Sequence, residues 1–353
     1  MKILQKYITI NLVATTLLAL FVLVTLFAFF SLIDQLEEAG RGSYGVPQVI
    51  VYVLLTTPRL VYELFPIAAV IGSMAALGML AQNSELAVIR TSGVSKLSLA
   101  CMFVKAGIIL VTLAVITGEL IAPVSEENAQ YRRSMALTDQ ITLKTKYGFW
   151  ARDGNSYINF RKILPGDRVE QIYIYEFDEN DRLRSSIFAR SAHYTEGKWL
   201  LNDIEQTIIG EDKVSTQQLK HAAWESLLNP EMINYVIIKP QYLTIWGLFN
   251  YVNFLKQNEQ STLLYEQALW IKLIKPFSII AMILLAVPLV HSNSRFTLVG
   301  QRVFVGVLIG TAFHICNQIA GHMGIVYNIH PSISVSMPTL LLSAAIFMLL
   351  RKA

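Results

Sequence analysis

Several arginines and carboxylates in this sequence stand close to the ends of long apolar runs, where their charges could meet a charged ligand. They are Asp34, Glu37, Glu38, Arg41, Arg59, Glu63, Glu119, Arg132 and Arg133. A guanidinium group binds phosphate through two parallel hydrogen bonds, so arginines in such positions could bind the phosphate of a lipid head group. Arginine side chains also extend from apolar segments toward a membrane surface without any ligand, which accounts for many of these positions equally well. Both interpretations stay open at this point.

The segment AQNSELAVIRTSGVS at residues 81–95 separates two apolar runs and has the pattern of a short helix. Ser84 is a suitable N-cap, Glu85 in the first turn suits the helix dipole, and Gly93 ends the turn. A short helix lying across the ends of two membrane spans could dock into a groove on a soluble protein, although an ordinary solvated loop helix has the same pattern. The residues that would form the docking surface are Ser84, Glu85, Leu86, Ile89 and Arg90.

Motifs that would give the chain its own energy source or catalytic centre are missing from the sequence. It contains no G-x-x-x-x-G-K-[ST] motif, and its only Gly-Lys pair, Gly197-Lys198, is followed by tryptophan. Glu63 and Glu119 stand near the ends of apolar runs, which disfavours a proton relay through the membrane. His314 and His322 have no carboxylate nearby in sequence to complete a metal site. We therefore expect a chain that is not an enzyme, holds no cofactor or metal itself, and takes energy from a partner.

Length and composition indicate a polytopic membrane protein. Of the 353 residues, 54% are hydrophobic and 15% are charged, whereas about a quarter of the residues of a soluble protein are charged. Runs long enough to cross a bilayer are predicted at about 8–33, 64–81, 97–122, 268–290, 303–320 and 333–350. The net charge of +4 gives no reason to expect nucleic acid as a partner, since basic residues at the ends of spans account for it.

Six spans place both termini on one side of the membrane, and the basic residues predict that this side is the cytoplasm. With both termini inside, the opposite short segments hold only two basic residues, Arg41 and Arg59. The cytoplasmic segments hold eight, which are Lys2, Lys6, Arg90, Lys96, Arg295, Arg302, Arg351 and Lys352. Because basic residues accumulate on the cytoplasmic side, segment 81–95 is predicted there and the long interval at 123–267 on the opposite side.

The long interval between the third and fourth runs predicts a β domain. Short runs rich in Ile, Tyr, Phe and Val alternate at period two, and the turn sequences RDGNS, LPGD and DENDR separate them. This pattern is typical of an antiparallel sandwich or jelly roll. Near 243–257 the sequence returns to helical period with one apolar face, which suits a helix lying in the membrane interface. The predicted organisation is three transmembrane helices at 1–122 with a short helix near 84–92, a β domain with flanking helices at 123–267, and three transmembrane helices at 268–353.

This order of elements, together with the segment LGMLAQNSELAVIRTSG after the second run, resembles the LptF/LptG family of lipopolysaccharide-export permeases. The resemblance covers the full length of the chain. The segments DQLEEAGRGSY after the first run and GELIAP at the end of the third resemble the G subunits of the family more than the F subunits.

The resemblance implies the transmembrane subunit of an ABC-type exporter in the inner membrane of a Gram-negative bacterium. In that family LptF and LptG form a heterodimer that docks two copies of the ATPase LptB, and LptB uses ATP and Mg. The dimer extracts lipopolysaccharide from the membrane, LptC adds a helix beside the first span of the G subunit, and the substrate passes to the bridge protein LptA. The termini would be cytoplasmic and the β domain periplasmic.

The resemblance also assigns roles to individual residues. Glu85 occupies the acidic position of the coupling helix that meets the ATPase, and Arg59 and Arg133 occupy basic positions near the substrate cavity. Leu26 and Phe30, one turn apart in the outer half of the first span, are predicted to form an apolar wall of that cavity.

One departure from the family pattern concerns the outer end of the first span, where some G subunits carry lysines. This chain has Ser31, Glu37 and Glu38 there, so phosphate binding could shift to Arg41 or use divalent cations as bridges. The alternatives that stay open are the paralogous F subunit and a membrane-anchored periplasmic scaffold with no transport role. An enzyme acting on lipid is disfavoured by the lack of a catalytic motif.

Overall fold

The computed structural model describes residues 2–138, 149–164, 168–195, 197–210, 213–224, 226, 230, 232, 239–292 and 298–352. Its helical elements are α1 (Lys2–Leu36), α2 (Val46–Gln82), α3 (Glu85–Thr91), α4 (Lys96–Ile116), a π-helical turn (Thr117–Ile121), α5 (Ala122–Thr138), a 3-10 turn (Pro240–Tyr242), α6 (Ile245–Gln257), α7 (Leu263–Ser292), α8 (Val299–Val326) and α9 (Pro331–Lys352). Six of these helices are long and apolar enough to cross a membrane: α1, α2, α4 continued by α5, α7, α8 and α9. The predicted α-helical membrane fold with six spans is confirmed.

The second long helix differs from the sequence prediction in where it begins. α2 starts at Val46, whereas the apolar run was predicted from about residue 64. The Gly45 N–H donates to Gln48 Oε1 (3.1 Å), which closes the first turn, and Pro47 occupies a position where a helix needs no donor. The prediction was too short because Arg59 interrupts the apolar pattern, and the structure neutralises this charge inside the helical bundle.

α2 lies at the centre of the helical bundle, where it contacts α1, α5, α7 and α8. Gly72 sets the distance between α1 and α2, because a Cβ at this position would overlap the backbone of Thr16. The Thr15 hydroxyl donates to the Gly72 carbonyl oxygen (2.9 Å) at the same crossing. Small residues at helix crossings in membranes allow this close approach, and polar side chains then bond across it.

The β domain is one antiparallel sheet of six strands. They are β1 (Phe149–Asp153), β2 (Ser156–Leu164), β3 (Arg168–Phe177), β4 (Leu183–Thr195), β5 (Lys198–Ile209) and β6 (Val214–Trp224). Each strand pairs with the next along the chain, so the order in the sheet is β1-β2-β3-β4-β5-β6. The predicted inserted antiparallel β domain is confirmed. The sequential order is that of a meander, and among the described residues the strands form one sheet and not the two of a sandwich.

The sheet and the bundle are joined by α6, whose predicted helix is confirmed. Across the sheet, Phe160, Ile172, Ala189 and Ile204 stand side by side and are buried. Further residues of the same core come from α6, namely Tyr251, Phe254 and Leu255. The hydroxyl of Thr244 caps α6 by accepting from the Gly247 N–H. The buried face of α6 therefore packs on the sheet.

Candidate functional site

α3 is a seven-residue helix held against the bundle by its apolar side chains. Leu86 and Ile89 are buried, and Leu86 belongs to the core of the membrane helices. The Tyr7 hydroxyl on α1 donates to Glu85 Oε2 (2.8 Å), which ties the first turn of α3 to the first span. A helix this short is not stable alone, so these tertiary contacts are what hold it.

The start of α3 differs from the prediction that Ser84 caps the helix. Ser84 has a φ of +58°, outside the extended conformation that a capping serine adopts. Its carbonyl oxygen accepts from the N–H groups of Ala87 and Val88, and within the described part of the chain its hydroxyl makes no hydrogen bond to the helix. The predicted end is confirmed, because α3 ends at Thr91 and Gly93 has a φ of +86°.

The exposed face of α3 is not the face that the sequence analysis predicted. Leu86 and Ile89 were expected to meet a partner, but both side chains point into this chain's own core. Ala87, Val88 and Thr91 are exposed instead. The backbone of Arg90 is helical, and its side chain lies outside the described residues.

Arg133 on α5 closes a polar cluster at the other end of the first span. Its Nε donates to Gln35 Oε1 (3.0 Å), and its Nη2 forms an ion pair with Glu38. The Tyr44 hydroxyl also donates to Gln35 Oε1 (3.1 Å), and burial raises the pKa of Tyr44, with Arg133 as an opposing influence. The side chain of Arg41 is exposed. The departure at Glu38 is thus neutralised by Arg133 within the chain.

Leu26 and Phe30 lie on α1 before this cluster, and both are about half exposed, at 48% and 55%. They share one face of the helix with Ile33, which is also exposed. The structure therefore brings an exposed apolar strip and a paired arginine, Arg133, to the same end of the bundle, with Gln35 of α1 as their direct link.

Arg59 lies elsewhere, inside the bundle near the 3-10 turn. Its Nη1 donates to Glu126 Oε1 (3.3 Å) and to Tyr242 Oη (3.0 Å). Glu126 is fully buried and also accepts from Gln130 Nε2 (2.8 Å). Burial raises the pKa of Tyr242, Glu63 raises it further, and Arg59 lowers it. Gln130 Nε2 also donates to Tyr52 Oη (3.2 Å), and the Arg133 guanidinium lies 5.6 Å from the centre of the Tyr52 ring, so Arg59 and Arg133 belong to one polar network.

Two lysines of α7 form a charged centre that the sequence analysis missed. Lys272 Nζ donates to Glu119 Oε1 (2.6 Å) and to the carbonyl oxygen of Gly118 in the π-helical turn (3.2 Å). Lys275 Nζ lies 3.7 Å from the centre of the Tyr62 ring, a cation–π contact. The signal was present in the sequence: ionisable residues inside an apolar span mark functional sites, and two lysines three positions apart share a helix face.

Comparisons with known proteins agree over almost the whole chain. The pattern of the family described as "Lipopolysaccharide export system permease LptF/LptG" matches residues 6–352. The chain is similar to "Lipopolysaccharide export system permease protein LptG" of Escherichia coli (strain K12), with 34% identity over 340 residues, 96% of this chain and 94% of the relative. It is also similar to the protein of the same name from Haemophilus influenzae, with 31% identity over 351 residues, 99% of this chain and 98% of the relative.

Proposed function

The chain belongs to the LptF/LptG family of lipopolysaccharide export permeases and is a multi-pass protein of the inner membrane, and we propose that it is the G-type transmembrane subunit of an ABC exporter driven by a separate ATPase. Like its relatives, it is a permease subunit of lipopolysaccharide export. The chain would have no nucleotide site of its own, and ATP and Mg would bind to the ATPase.

The observation that carries the coupling proposal is the anchoring of α3. Its apolar residues Leu86 and Ile89 are fixed in the bundle, so movement of α3 must move the ends of the adjoining spans. Val88 stands on the opposite side with 65% of its surface exposed. An apolar side chain that projects from an anchored helix can insert into an apolar groove on an ATPase. Glu85 and Arg90 would supply charged contacts at the edges of that surface.

Lipopolysaccharide would lie along α1, with Leu26 and Phe30 against its acyl chains and Arg41 and Arg133 near its phosphates. Each buried CH₂ group is worth about 0.8 kcal/mol, so moving several acyl chains into water would cost tens of kcal/mol. The chains must therefore pass from one apolar surface to another. α3 has to transmit movement to the spans and need not deliver that full energy.

The partners that complete this machine would be an LptF-like paralogue, two copies of LptB, LptC and LptA. Cytoplasmic termini and α3 would face LptB, and the sheet would lie in the periplasm toward LptA. The eight-to-two excess of basic residues in the segments on the α3 side supports this orientation. Arg59 would be a further phosphate ligand, connected to Arg133 through Gln130 and Tyr52.

A matched pair of substitutions tests the coupling proposal. Val88→Asp places a carboxylate in the proposed groove, and Val214→Asp places one on β6, where Val214 is exposed to a similar extent (67%, against 65% for Val88). We expect Val88→Asp to abolish co-purification of the ATPase and lipopolysaccharide release, because a buried unpaired carboxylate is strongly unfavourable. Val214→Asp should leave both unchanged. Normal ATPase binding and export by Val88→Asp would refute the coupling role of α3.

A further inference from the structure

A cavity of about 520 Å³ lies between α2, α7 and α8, at the end of the bundle next to the 3-10 turn. The residues that line it include Arg59, Tyr62, Lys272, Lys275, Gln267 and His314. None of the lining residues belongs to α1, so this cavity is separate from the strip with Leu26 and Phe30. Its volume suits a head group or a small ligand and is too small for a lipid with several acyl chains.

One ammonium group in the cavity, that of Lys275, has no counter-charge of its own in the described structure. Among the described residues, no carboxylate oxygen lies within 4.0 Å of Lys275 Nζ, whereas Lys272 is paired with Glu119. Both ammonium groups lie over the same aromatic ring, that of Tyr62. The distance from Nζ to the ring centre is 5.7 Å for Lys272 and 3.7 Å for Lys275. The Nε of Arg59 is buried without a hydrogen-bond partner in the described structure. An unpaired charge between membrane helices is costly, so an incoming anion would be stabilised.

Glu126 balances the charge of Arg59, but the Arg59 Nε–H group has no hydrogen-bond acceptor in the described structure. Glu63 Oε1 lies 4.0 Å from Arg59 Nε, too far for a hydrogen bond, and its side chain is 39% exposed. The other acidic partner of Arg59, Glu126, is bound to Nη1 and not to Nε. Arg59 Nε and Lys275 Nζ are therefore two hydrogen-bond donors available in the same cavity, and Glu63 lies on the exposed side of that cavity.

The cavity also contains a buried acceptor without a donor. Gln267 is only 9% exposed, and its Oε1 has no hydrogen-bond partner within the described residues. His314 and Gln318 bond to each other through their side chains (3.1 Å) and complete the polar lining on α8. A ligand that fits this set needs an anionic oxygen for the two donors and a hydroxyl for Gln267.

We propose that this cavity binds a phosphate group that carries a neighbouring hydroxyl, with Lys275 and Arg59 bound to the phosphate oxygens and Gln267 accepting from the hydroxyl. An anionic phospholipid head group such as phosphatidylglycerol has this chemistry, and so does free hydrogen phosphate. The site shares Arg59 with the proposed contacts to lipopolysaccharide, and it goes beyond the export function in the ligand that it takes and in the roles that it gives to Lys275 and Gln267.

The test uses the full-length chain, purified with the subunits that accompany it, in nanodiscs of phosphatidylglycerol or of phosphatidylcholine. Native mass spectrometry counts the lipid that stays bound after detergent release. We expect one retained phosphatidylglycerol per chain and little phosphatidylcholine, because the choline group would meet the lysines and offers Gln267 no hydroxyl. If inorganic phosphate at millimolar concentration forms a phosphate adduct with the protein in phosphatidylcholine discs and phosphatidylglycerol is not retained, free phosphate is the ligand.

Substitutions decide whether the lining residues are responsible. Lys275→Met should lower retention about tenfold, the effect of losing one hydrogen bond to a charged group, and Lys275→Arg should restore it. The matched control is Lys105→Met, since Lys105 is an exposed span lysine on α4 outside the cavity. Glu63→Gln should raise retention several-fold by removing a nearby like charge.

Equal retention in the wild type and Lys275→Met, or equal retention of the two lipids with no phosphate adduct, would overturn the proposal. Lipopolysaccharide release and ATPase co-purification are measured on the same samples. Loss of lipid retention with normal export separates this site from the export function, and unchanged assembly shows that Lys275→Met is folded.

Discussion

The two ends of the helical bundle are held together by different forces. At the α3 end, Leu86 and Ile89 are apolar anchors, and the polar contacts include the Tyr7–Glu85 hydrogen bond between partly exposed groups and a buried hydrogen bond from Arg302 Nη1 to the Gly78 carbonyl oxygen (3.1 Å). At the sheet end, ion pairs join helices that are far apart in sequence. These pairs are Arg59–Glu126, Lys272–Glu119 and Arg133–Glu38.

Because of this difference, we expect the sheet end of the bundle to be rigid and the α3 end to move. A buried ion pair has a fixed geometry, and breaking it costs much free energy. We therefore expect α2, α5 and α7 to keep their arrangement at the sheet end when the spans move. Apolar anchors have no such orientation, so α3 could tilt with the spans while its exposed face keeps the contact proposed with the ATPase. The π-helical turn at Thr117–Ile121 belongs to the rigid end, since its Gly118 carbonyl is occupied by Lys272.

The largest expected effect comes from breaking a buried pair at the sheet end. Glu126→Ala leaves Arg59 buried without its main counter-charge and should destabilise the chain by about 3–5 kcal/mol. Tryptophan fluorescence during thermal unfolding in detergent measures the change. Glu127→Ala is the matched control, because Glu127 is the exposed neighbour of the fully buried Glu126. A shift no larger than that of the control would show that the sheet end is not held by charge.

A smaller loss is expected at the α3 end, and there it should stay local. Leu86→Ala removes an apolar anchor with 7% exposure and should destabilise the seating of α3 by about 2–4 kcal/mol. Hydrogen exchange of the Val88 amide, which donates to Ser84, reports this opening. Val88→Ala, a change at an exposed site, should leave exchange within twofold. Global unfolding in Leu86→Ala would mean that α3 is part of one cooperative core.

The Arg133–Glu38 pair at the sheet end is partly exposed, with 25% and 30% of the two side chains accessible, so its net contribution is small. Glu38→Gln should change stability by less than about 1 kcal/mol and free Arg133 for a ligand. We expect co-purified lipopolysaccharide to increase several-fold, and Arg133→Ala to decrease it. Unchanged lipid in both variants would leave Arg133 with a structural role only.

The parts of the fold that the sequence predicted are those with local signals. The six spans, the alternating strands and α6 follow from periodicity within a few turns of chain, and each is confirmed. The parts that were wrong depend on distant contacts. The continuation of α2 as one helix past the charge of Arg59 depends on the ion pair with Glu126, and the burial of Leu86 depends on where α3 rests on the other helices. A hydropathy pattern cannot show which neighbour a side chain meets, so it assigned Leu86 and Ile89 to a partner.

The smallest expected effect concerns the hydrogen bond between Tyr7 and Glu85, and it decides what Glu85 does. Tyr7→Phe removes the donor alone and should cost only about 0.2–1 kcal/mol, since the pair is exposed. If Glu85 serves only to tie α3 to α1, then Glu85→Gln and Tyr7→Phe should reduce ATPase co-purification equally little. If Glu85 also meets a basic group on the ATPase, Tyr7→Phe should be nearly silent while Glu85→Lys loses a charge-assisted contact worth about 2–5 kcal/mol. Coupled ATP hydrolysis and lipopolysaccharide release would then fall in Glu85→Lys and persist in Tyr7→Phe, which is the outcome we expect. Normal export in Glu85→Lys would confine Glu85 to the structural tie and leave the exposed face around Val88 as the whole contact.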